Sequence, residues 1–501
     1  MAAATDKITG NRLPRGGRIP VVAGTSKPPV VAVIGGGFTG AATAYHLAAL
    51  GVAPVRIVVY EPRAILGAGL AYDTDEPVHR INVPAERMTL VPGDGEHFHR
   101  WLRATGALSE DPRATVEGGH VFPRRSVFGR YVAAQLEPLL ADGTVAHRRT
   151  RVSIVTPLGN GTWKVEAEDG SVIVADVVVV ATTHPSPQAP SVVGRALAGH
   201  PRYVPDATIP GALSAVRQGD RVLVVGTGLT AADVIAALDA SGHAGDITAI
   251  SRRGLRSRGH NLLPQEPFGE FAAAPVRSAR ALLRLVRQTV WEAAEHGVTW
   301  HAVFDRLRTQ GGDIWRALPD TERRRLVRLL RPYWDVHRFR IAPQLENVIQ
   351  HRLETGNLTV KAASIAAVRR EKNDEIVVSL RPRHARDEIE VRYDAVIVTT
   401  GPGHRSILAS QPFLAGLAAA GTLHADSVGL GIAVDEDSHP IGADGAPSRS
   451  LYIAGPLARG TFGELMGLPQ VTEHAIFVAE RVARDLRFSE RASGEPRRQV
   501  G

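Results

Sequence analysis

Two stretches of this 501-residue chain decide the fold: VVAVIGGGFTGAATAYHLAAL, at residues 30–50, and DRVLVVGTGLTAADVIAALDA, at residues 220–240. Each combines an apolar β-branched run, a glycine-rich turn and an alanine- and leucine-rich helical pattern. Each turn is therefore predicted to join a buried strand to a helix. The repetition predicts two α/β units of the same kind within one chain.

The two turns match the fingerprint of a dinucleotide-binding turn, and we call them the first and the second cradle. The first glycine makes a turn that a Cβ would obstruct, and the second lets the backbone approach a pyrophosphate. The third glycine, or a small alanine, lets the helix pack close to the strand, and the helix directs unpaired N–H groups at the phosphates. The predicted cradle residues are Gly35, Gly37, Phe38, Thr39 and Gly40 in the first turn and Gly226, Gly228, Leu229, Thr230 and Ala231 in the second.

The two copies differ at the end of the strand that follows each cradle. Glu61 stands twenty-one residues beyond Gly40, whereas Arg252 stands twenty-one residues beyond Ala231 and is followed by Arg253. A carboxylate accepts hydrogen bonds from a free ribose diol, whereas arginine offers a bidentate fork to a 2′-phosphate. This difference predicts FAD in the first cradle and NADPH in the second. A solvated basic turn is the alternative for the two arginines, because the segment SRRGLRSR is basic throughout.

The composition is that of a globular protein, with 44% hydrophobic and 22% charged residues. The apolar run VIVADVVVVA is too short to cross a bilayer, so no membrane partner is predicted. The net charge of +8 comes from arginines spread along the chain without interleaved aromatic residues, which predicts no nucleic-acid partner. The first 28 residues are basic and lack the apolar core of a secretory signal. They predict a disordered basic tail at 1–28 and a cytoplasmic location.

The chain contains no cysteine. Many flavoproteins with paired nucleotide folds pass electrons to a cysteine pair, and this chain has no thiol to receive them. Thiolate-bound zinc and iron–sulfur clusters are excluded for the same reason. No metal site is predicted either, because His97 and His99 are two apart on a predicted helix and do not share a face. Electrons must therefore leave to O2, to a small substrate or to another protein.

The predicted elements after each cradle repeat in the same order: a β-meander and then a buried apolar strand, at residues 175–183 and 394–402. One more strand, near residue 451, is predicted to return to the first sheet. The expected fold is α/β, with two Rossmann-like dinucleotide-binding domains, each a parallel sheet plus a β-meander in three layers, and the second domain inserted in the first. The predicted boundaries are an FAD-binding domain at 29–205 and 403–501 and an NAD(P)-binding domain at 206–402, which includes a helical insert at 262–353.

Several segments in combination resemble a bacterial family of FAD/NAD(P)-binding proteins, within the two-dinucleotide-binding flavoproteins. The segments that carry the resemblance are VIGGGFTG, GLAYDTDEPVHRINVPAERM, FPRRSVFGRY, VGTGLTAADV, ISRRG, WDVHRFRIAP and YIAGPLARGTFGE. The resemblance covers nearly all of the chain beyond residue 29. The layout is similar to that of flavin N-hydroxylases of ornithine and lysine and, more distantly, to flavin-containing and Baeyer–Villiger monooxygenases. It implies the fold and both cofactors and leaves the substrate open.

The resemblance also implies where the flavin is bound. The family places the HRINVPAERM loop beside the ring system, so Asn82 is expected to contact it. Many relatives end the last FAD strand with an aspartate, whereas this chain has Gly455-Pro456 there. The ribityl chain and ring are therefore expected to contact the backbone that follows, with Gly455, Leu457 and Ala181 among the FAD-binding residues. The Baeyer–Villiger signature is missing from the segment AGHPRYVPD.

The segment WDVHRFRIAP concentrates a histidine and two arginines near the end of the helical insert. His337 is a candidate for moving a proton. Arg338 and Arg340 are candidates for binding an anionic substrate or the phosphates of the nicotinamide nucleotide. A salt-bridge cluster at the end of a helix is an equally weighted alternative.

These observations predict an FAD- and NADPH-dependent oxidoreductase, with a monooxygenase of the N-hydroxylase type preferred. NADPH would reduce FAD, and a C4a-hydroperoxyflavin formed with O2 would oxygenate a small nucleophilic substrate, anionic or amine-bearing. Two alternatives stay open. One is a reductase or dehydrogenase that passes electrons to an organic acceptor or a partner protein. The other is a flavin-binding, redox-sensing interaction protein that uses the helical insert as its contact surface.

Overall fold

The computed structural model of the protein describes residues 27–51, 55–182, 185–401 and 403–494. Most of the predicted basic tail at 1–28 lies outside the described residues. The strands are β1 (Val30–Ile34), β2 (Arg56–Tyr60), β3 (Val145–Arg148), β4 (Val152–Pro157), β5 (Trp163–Ala167), β6 (Val172–Ala175), β7 (Val177–Val180), β8 (Tyr203–Val204), β9 (Val222–Val225), β10 (Ile247–Ser251), β11 (Leu358–Arg370), β12 (Ile376–Pro382), β13 (Ile389–Tyr393), β14 (Ala395–Val398) and β15 (Leu451–Ile453).

The α-helices connect and cover these strands. They are α1 (Phe38–Ala49), α2 (Gly69–Tyr72), α3 (His97–Ala104), α4 (Arg125–Ala141), α5 (Ser191–Ala196), α6 (Leu229–Ala240), α7 (Ala279–Glu295), α8 (Trp300–Thr309), α9 (Gly311–Ala317), α10 (Asp320–Leu329), α11 (Arg331–Arg338), α12 (Pro343–Glu354), α13 (Pro412–Ala419), α14 (Arg459–Phe462) and α15 (Gln470–Gly494). Both cradles lie where predicted, between β1 and α1 and between β9 and α6. No helix in the described part of the chain is long and apolar enough to cross a membrane.

The first sheet is parallel, with strand order β15-β7-β1-β2-β3. Successive side chains of a strand point to opposite faces, so β1 supplies two cores. Val31 and Val33 pack in a core with residues of α1, α4 and α15. Ala32 and Ile34 pack on the other face, in a core that includes the antiparallel meander β4-β5-β6 and α13. The three layers agree with the predicted fold, and the prediction that the strand near residue 451 returns to this sheet is confirmed.

The second sheet has the order β13-β12-β11-β10-β9-β14-β8. Strand β11 runs parallel to β10 and continues, past a bulge between Ile365 and Ala367, as the first strand of an antiparallel meander. The expected boundary between the first and the second domain at residues 205 and 206 differs from the structure. Strand β8, at Tyr203–Val204, pairs with β14, and Val193 of α5 packs in the core of this sheet. Residues 191–204, which we expected in the first domain, therefore pack on the second, because their apolar side chains cover its sheet.

The helical insert differs from the prediction in its first part. Residues 262–278 form no helix, and the helices begin at Ala279. Gly and Pro recur in this stretch, and both disfavour a continuous helix. Phe271 instead packs, with Leu282 and Val303, in a separate small core under helices α7 to α9.

Candidate functional site

The first cradle brings a strand and a helix into backbone contact. Gly35 has φ +101°, its N–H donates to the Tyr60 carbonyl at 2.9 Å, and a Cβ there would lie 2.7 Å from the Ala181 oxygen. A Cβ on Gly40 would lie only 1.8 Å from the Gly35 oxygen. Gly37 precedes α1, and no side chain caps the helix. The first turn of α1 can therefore direct its N–H groups at an anion.

Glu61 is held beside this turn and is only 3% exposed. Its Oε2 accepts a hydrogen bond from the Gly36 N–H at 3.1 Å, and its Oε1 accepts from the Arg63 N–H at 3.0 Å. Oε1 also accepts from Arg63 Nη1 at 3.1 Å, which uses its second lone pair, whereas Oε2 can accept one further hydrogen bond. The geometry fits the predicted role of Glu61 as an acceptor for a ribose diol.

The second cradle repeats the backbone geometry of the first. Gly226 has φ +129°, and a Cβ there would lie 2.5 Å from the Thr399 oxygen. Gly228 precedes α6 and has no atom within 4 Å of an added Cβ, so its backbone is open to a ligand. Ala231 is 2% exposed and packs in the core, as a small residue at this position should.

The two arginines after the second cradle have different environments. Arg252 is exposed, and among the described residues its side chain has no hydrogen-bond or ion-pair partner. Arg253 donates through Nη1 to the Leu329 carbonyl at 2.7 Å and lies over the ring of Tyr333, with 5.0 Å between its Cζ and the ring centroid. Arg253 is thus used to dock the helical insert, whereas Arg252 is free for a phosphate.

A cavity of about 1490 Å³ lies between the first cradle and the helix of the second. Glu61 and the first cradle form one part of its wall, and α6 forms another through Thr230 and Asp233. Gly226, Gly228 and Arg252 are not in this wall. The predicted residues that do line the cavity are Gly35, Gly37, Phe38, Thr39, Glu61, Ala181 and Thr230.

The wall also contains polar residues that were not among the predicted site residues, including Tyr72, His79, Arg125 and Asp233. Arg125 pairs with Asp233 across the two domains, with 2.8 Å between Nη1 and Oδ2. Burial raises the pKa of Tyr72 to about 12 and lowers the pKa of His79. All four residues lie in segments that carry the family resemblance, and this resemblance was the signal in the sequence that could have identified them. Their spacing could not have done so, because Arg125 and Asp233 are 108 residues apart.

Asn82 lies at the same domain junction but outside the cavity wall. Its backbone oxygen accepts a hydrogen bond from His260 Nε2 at 2.9 Å, and its side-chain oxygen lies 3.4 Å from Arg125 Nη2. The turn at Gly455 does reach the first cradle, since a Cβ there would lie 2.7 Å from the Thr39 side chain. The Leu457 side chain packs in the core instead, and its neighbour Pro456 lines the cavity.

The predicted cluster at the end of the insert has partners within the protein, and none of its three candidates lines the cavity. The His337 ring stacks on Phe304 with 4.7 Å between centroids, and its Nδ1 donates to the Tyr333 carbonyl. Arg338 pairs with Glu464 at 2.8 Å, and Arg340 pairs with Asp305 at 2.9 Å. This placement differs from the direct catalytic and substrate contacts that we expected. The local sequence could not show that the two arginines are already paired, because Glu464 and Asp305 lie far from them in the chain.

The half-buried His260 is expected to make the stability of the domain junction depend on pH. Burial and the nearby Arg340 lower the pKa of His260 to about 3, against about 6.5 in an unfolded chain. As the pH falls, the unfolded state therefore binds a proton at His260 before the folded state does. The free energy of unfolding consequently decreases as the pH drops from about 6.5 towards 3. We expect His260→Gln, which keeps a donor for the Asn82 carbonyl, to reduce the slope of the unfolding free energy against pH by about 1.4 kcal/mol per unit between pH 6 and 4. Urea unfolding measures this slope.

The exposed His384 provides a matched control for this measurement. His384→Gln should leave the slope unchanged. An unchanged slope in His260→Gln as well would show that His260 is not held in its neutral form by the fold.

Residues 32–185 match an FAD-NAD(P)-binding family. No curated protein matches the chain. The FAD/NAD(P)-binding character that the sequence predicts is confirmed for the matched residues, which contain the first cradle and Glu61.

Several solved structures share the fold over nearly the whole chain. Ornithine hydroxylase from Pseudomonas aeruginosa in its reduced form is 16% identical, with a TM-score of 0.61 over 92% of this chain and 100% of that chain. Ornithine N-hydroxylase from Kutzneria sp. 744 is 16% identical, with a TM-score of 0.59 over 93% of this chain and 100% of that chain. L-lysine 6-monooxygenase from Pseudomonas syringae is 18% identical, with a TM-score of 0.59 over 92% of this chain and 100% of that chain. The chain thus has the fold of two-dinucleotide-binding flavoproteins, as predicted.

Proposed function

We propose that this protein is a flavin-dependent monooxygenase that uses FAD and NADPH to oxygenate a small nucleophilic substrate, in the manner of an N-hydroxylase. The observation that carries the proposal is the cavity that joins the first cradle to α6 of the second domain. The similar structures named above, hydroxylases and a monooxygenase of ornithine and lysine, support the same reaction class. The bacterial origin and cytoplasmic location inferred from the sequence belong to this proposal.

The residues present fit both cofactors. In the first cradle, the backbone around Gly37 and the start of α1 would hold the pyrophosphate of FAD, and Glu61 would accept hydrogen bonds from the ribose. In the second, Gly228 leaves the backbone open, and Arg252 would pair with the 2′-phosphate of NADPH. Bound FAD would supply the redox and oxygen chemistry. The domain boundary at 402 and 403 remains a prediction within this scheme, whereas the boundary at 205 and 206 is replaced by one before residue 191.

The protein's own groups would orient the reactants and control protons. Arg125 is fixed by Asp233 and by its Nε hydrogen bond to the Arg80 carbonyl at 2.8 Å, so it presents a rigid cation in the cavity wall. His79 accepts from or donates to Thr74 through Nδ1 at 3.0 Å and lies in the same wall. Because burial lowers its pKa, His79 is neutral near pH 7 and can accept a proton there.

The reaction class is tested by incubating the FAD-loaded protein with NADPH, O2 and a panel of amines that includes ornithine, lysine and cadaverine. We expect NADPH oxidation that requires O2 and a product one oxygen atom heavier than its amine. Turnover that continues without O2 once an organic acceptor is supplied, with no oxygenated product, would instead favour a reductase. A protein that binds flavin and fails to oxidise NADPH with any acceptor would favour an interaction protein.

A methyl group placed over the open backbone of each cradle should weaken the binding of one cofactor and leave the fold intact. Gly37 has φ −65° and Gly228 has φ −89°, so alanine is allowed at both positions. The nearest atom to a Cβ on Gly37 is the Gly69 Cα at 3.5 Å, an ordinary contact. We expect Gly37→Ala to lower the flavin content of the purified protein and Gly228→Ala to weaken NADPH alone. Each variant is the control for the other, and loss of both cofactors in either one would contradict separate cradles.

Arg252 should determine the choice of nicotinamide nucleotide. We expect Arg252→Gln to weaken NADPH relative to NADH by about 1–3 kcal/mol, because a charged hydrogen-bonded contact is lost. Fluorescence titration with each nucleotide measures the difference. Arg253→Gln is the matched control and should change both affinities equally, since its guanidinium is bound to the Leu329 carbonyl. Equal weakening of both nucleotides by Arg252→Gln would reject the 2′-phosphate role.

A further inference from the structure

One face of helix α7, in the helical insert, is exposed to solvent. The opposite face packs through Leu282 and Ala293 in the small core beneath α7 to α9. The exposed side chains recur at intervals of three and four residues, which places them on one side of the helix. We call this set the α7 face, and its members are Arg280, Arg284, Arg287, Gln288, Trp291, Glu292 and Glu295.

Trp291 is the apolar centre of the α7 face. It is 77% exposed, the largest exposed fraction of any large hydrophobic side chain among the described residues. Covering its ring would remove a large apolar area from water. Trp and Arg are also the residues that carry most of the binding energy at many protein–protein contacts. The α7 face therefore has the composition of an interface.

The charged side chains of the α7 face form no ion pairs within the described part of the protein, where Glu292 accepts a hydrogen bond from Gln288 at 2.8 Å. Opposite charges pair along a helix when they are three or four residues apart, but Arg287 and Glu292 are five apart. Gln288 and Trp291 occupy the positions four residues before the two carboxylates, where a cation would have paired with them. The charges of the face are therefore available to a second molecule.

The order of the charges along α7 makes the face complementary to itself. Arginines occupy its first half and carboxylates its second half. A contact with twofold symmetry pairs residue i with residue j and residue j with residue i. When two α7 helices run antiparallel and meet at the centre of the face, Arg287 lies opposite the partner's Glu292 and Arg284 lies opposite the partner's Glu295. A parallel pair would instead bring arginine opposite arginine.

The remaining positive charge lies towards the ends of such a pair. Arg280 would lie near the C-terminal end of the partner's α7, where the helix dipole favours a cation. Helix α10 contacts the start of α7, where the Ala279 N–H donates to Glu322 at 2.9 Å, and it carries the exposed Arg324 and Arg328. These cations enlarge the positive half of the surface, which would lie beside the acidic half of the partner.

The carboxylates of the α7 face favour a second copy over an anionic membrane or a nucleic acid. Glu292 and Glu295 lie within about one turn of Trp291, so a uniformly negative surface that reached Trp291 would also meet two like charges. A second copy offers an arginine to each carboxylate. Stable dimers bury about 1,200–2,000 Å², and one helix supplies only part of that area. We therefore expect a weak dimer, with a dissociation constant in the micromolar range.

We propose that the α7 face binds the same face of a second copy of this chain, with the two helices antiparallel. Arg284 and Arg287 pair with the partner's Glu295 and Glu292, and each Trp291 packs against the partner's α7. None of these residues lines the cavity, so the proposal does not depend on the proposed reaction.

Sedimentation velocity of the full-length protein at rising concentration tests the proposal. We expect the wild type to shift from monomer to dimer. The acidic variant, Arg284→Glu with Arg287→Glu, and the basic variant, Glu292→Arg with Glu295→Arg, should each stay monomeric, because like charges then meet at every ion pair. An equal mixture of the two variants should dimerise again, because each of these positions then faces the opposite charge.

A charge reversal elsewhere on the surface is the matched control. Arg383 and Arg386 are exposed in the turn between β12 and β13. Arg383→Glu with Arg386→Glu changes the net charge by as much as the acidic variant does, and it should dimerise like the wild type. Trp291→Ser should raise the dissociation constant roughly tenfold or more. It should leave the urea midpoint of the monomer unchanged, because the Trp291 side chain is exposed.

Three results would overturn the proposal. The first is a wild type that stays monomeric throughout the micromolar range. The second is a dimer that persists in both charge variants, because the interface would then lie elsewhere. The third is a mixture of the acidic and basic variants that stays monomeric, because the loss of the dimer in each variant would then not come from lost charge complementarity.

Discussion

We expect a Gly40→Ala variant to abolish FAD binding and to destabilise the protein by about 4 kcal/mol or more. The added Cβ would lie 1.8 Å from the Gly35 oxygen and 3.2 Å from Val33 Cγ1. The first contact is with backbone, so no side-chain rotation relieves it. Helix α1 would have to move away from β1, although Ala41 and Ala44 of α1 are fully buried in the core. Flavin content after purification and the urea midpoint measure the two effects.

The second cradle offers the matched control, because Ala231 occupies the position equivalent to Gly40. Ala231→Gly should cost only about 0.5–1 kcal/mol, the usual penalty for glycine in a helix. It should leave FAD content unchanged, since Ala231 belongs to the other domain. If Gly40→Ala bound FAD normally, the contact between helix and strand in the first cradle would not be required.

Features that arise from neighbouring residues could be predicted from the sequence. A strand, a glycine turn and a helix within twenty residues fix the geometry of each cradle, and Gly35 and Gly226 have the positive φ that this turn needs. The return of β15 to the first sheet followed from the repeated order of elements. The two meanders were also recognisable from their strand patterns and turn residues.

Features that depend on distant partners could not be predicted. Arg253 looked equivalent to Arg252, but its hydrogen bond to Leu329 crosses 76 residues. Arg338 looked like a substrate contact, but its carboxylate partner is 126 residues away. The local sequence shows that a side chain is charged and does not show whether another segment has already paired it. The same limit explains why α5 and β8 were placed in the wrong domain.

The ion pair between Arg125 and Asp233 is expected to hold the two domains together at the cavity. The two side chains are 15% and 9% exposed, so removing either one leaves a largely buried charge. We expect Arg125→Met or Asp233→Leu alone to lower the free energy of unfolding by about 3–5 kcal/mol. Urea unfolding, with flavin fluorescence reporting on the cavity, measures the loss.

The double variant distinguishes a structural from a functional need for this pair. Arg125→Met with Asp233→Leu replaces two charges by apolar groups, so most of the stability should return. A small part should stay lost, because Arg125 also donates to the Arg80 carbonyl. If the pair only joins the domains, the double variant should recover NADPH-dependent turnover together with its stability. We expect turnover to stay low, because the cavity wall would then lack the fixed cation and its carboxylate where the two domains meet. Full recovery of turnover would show that the pair has no role beyond stability.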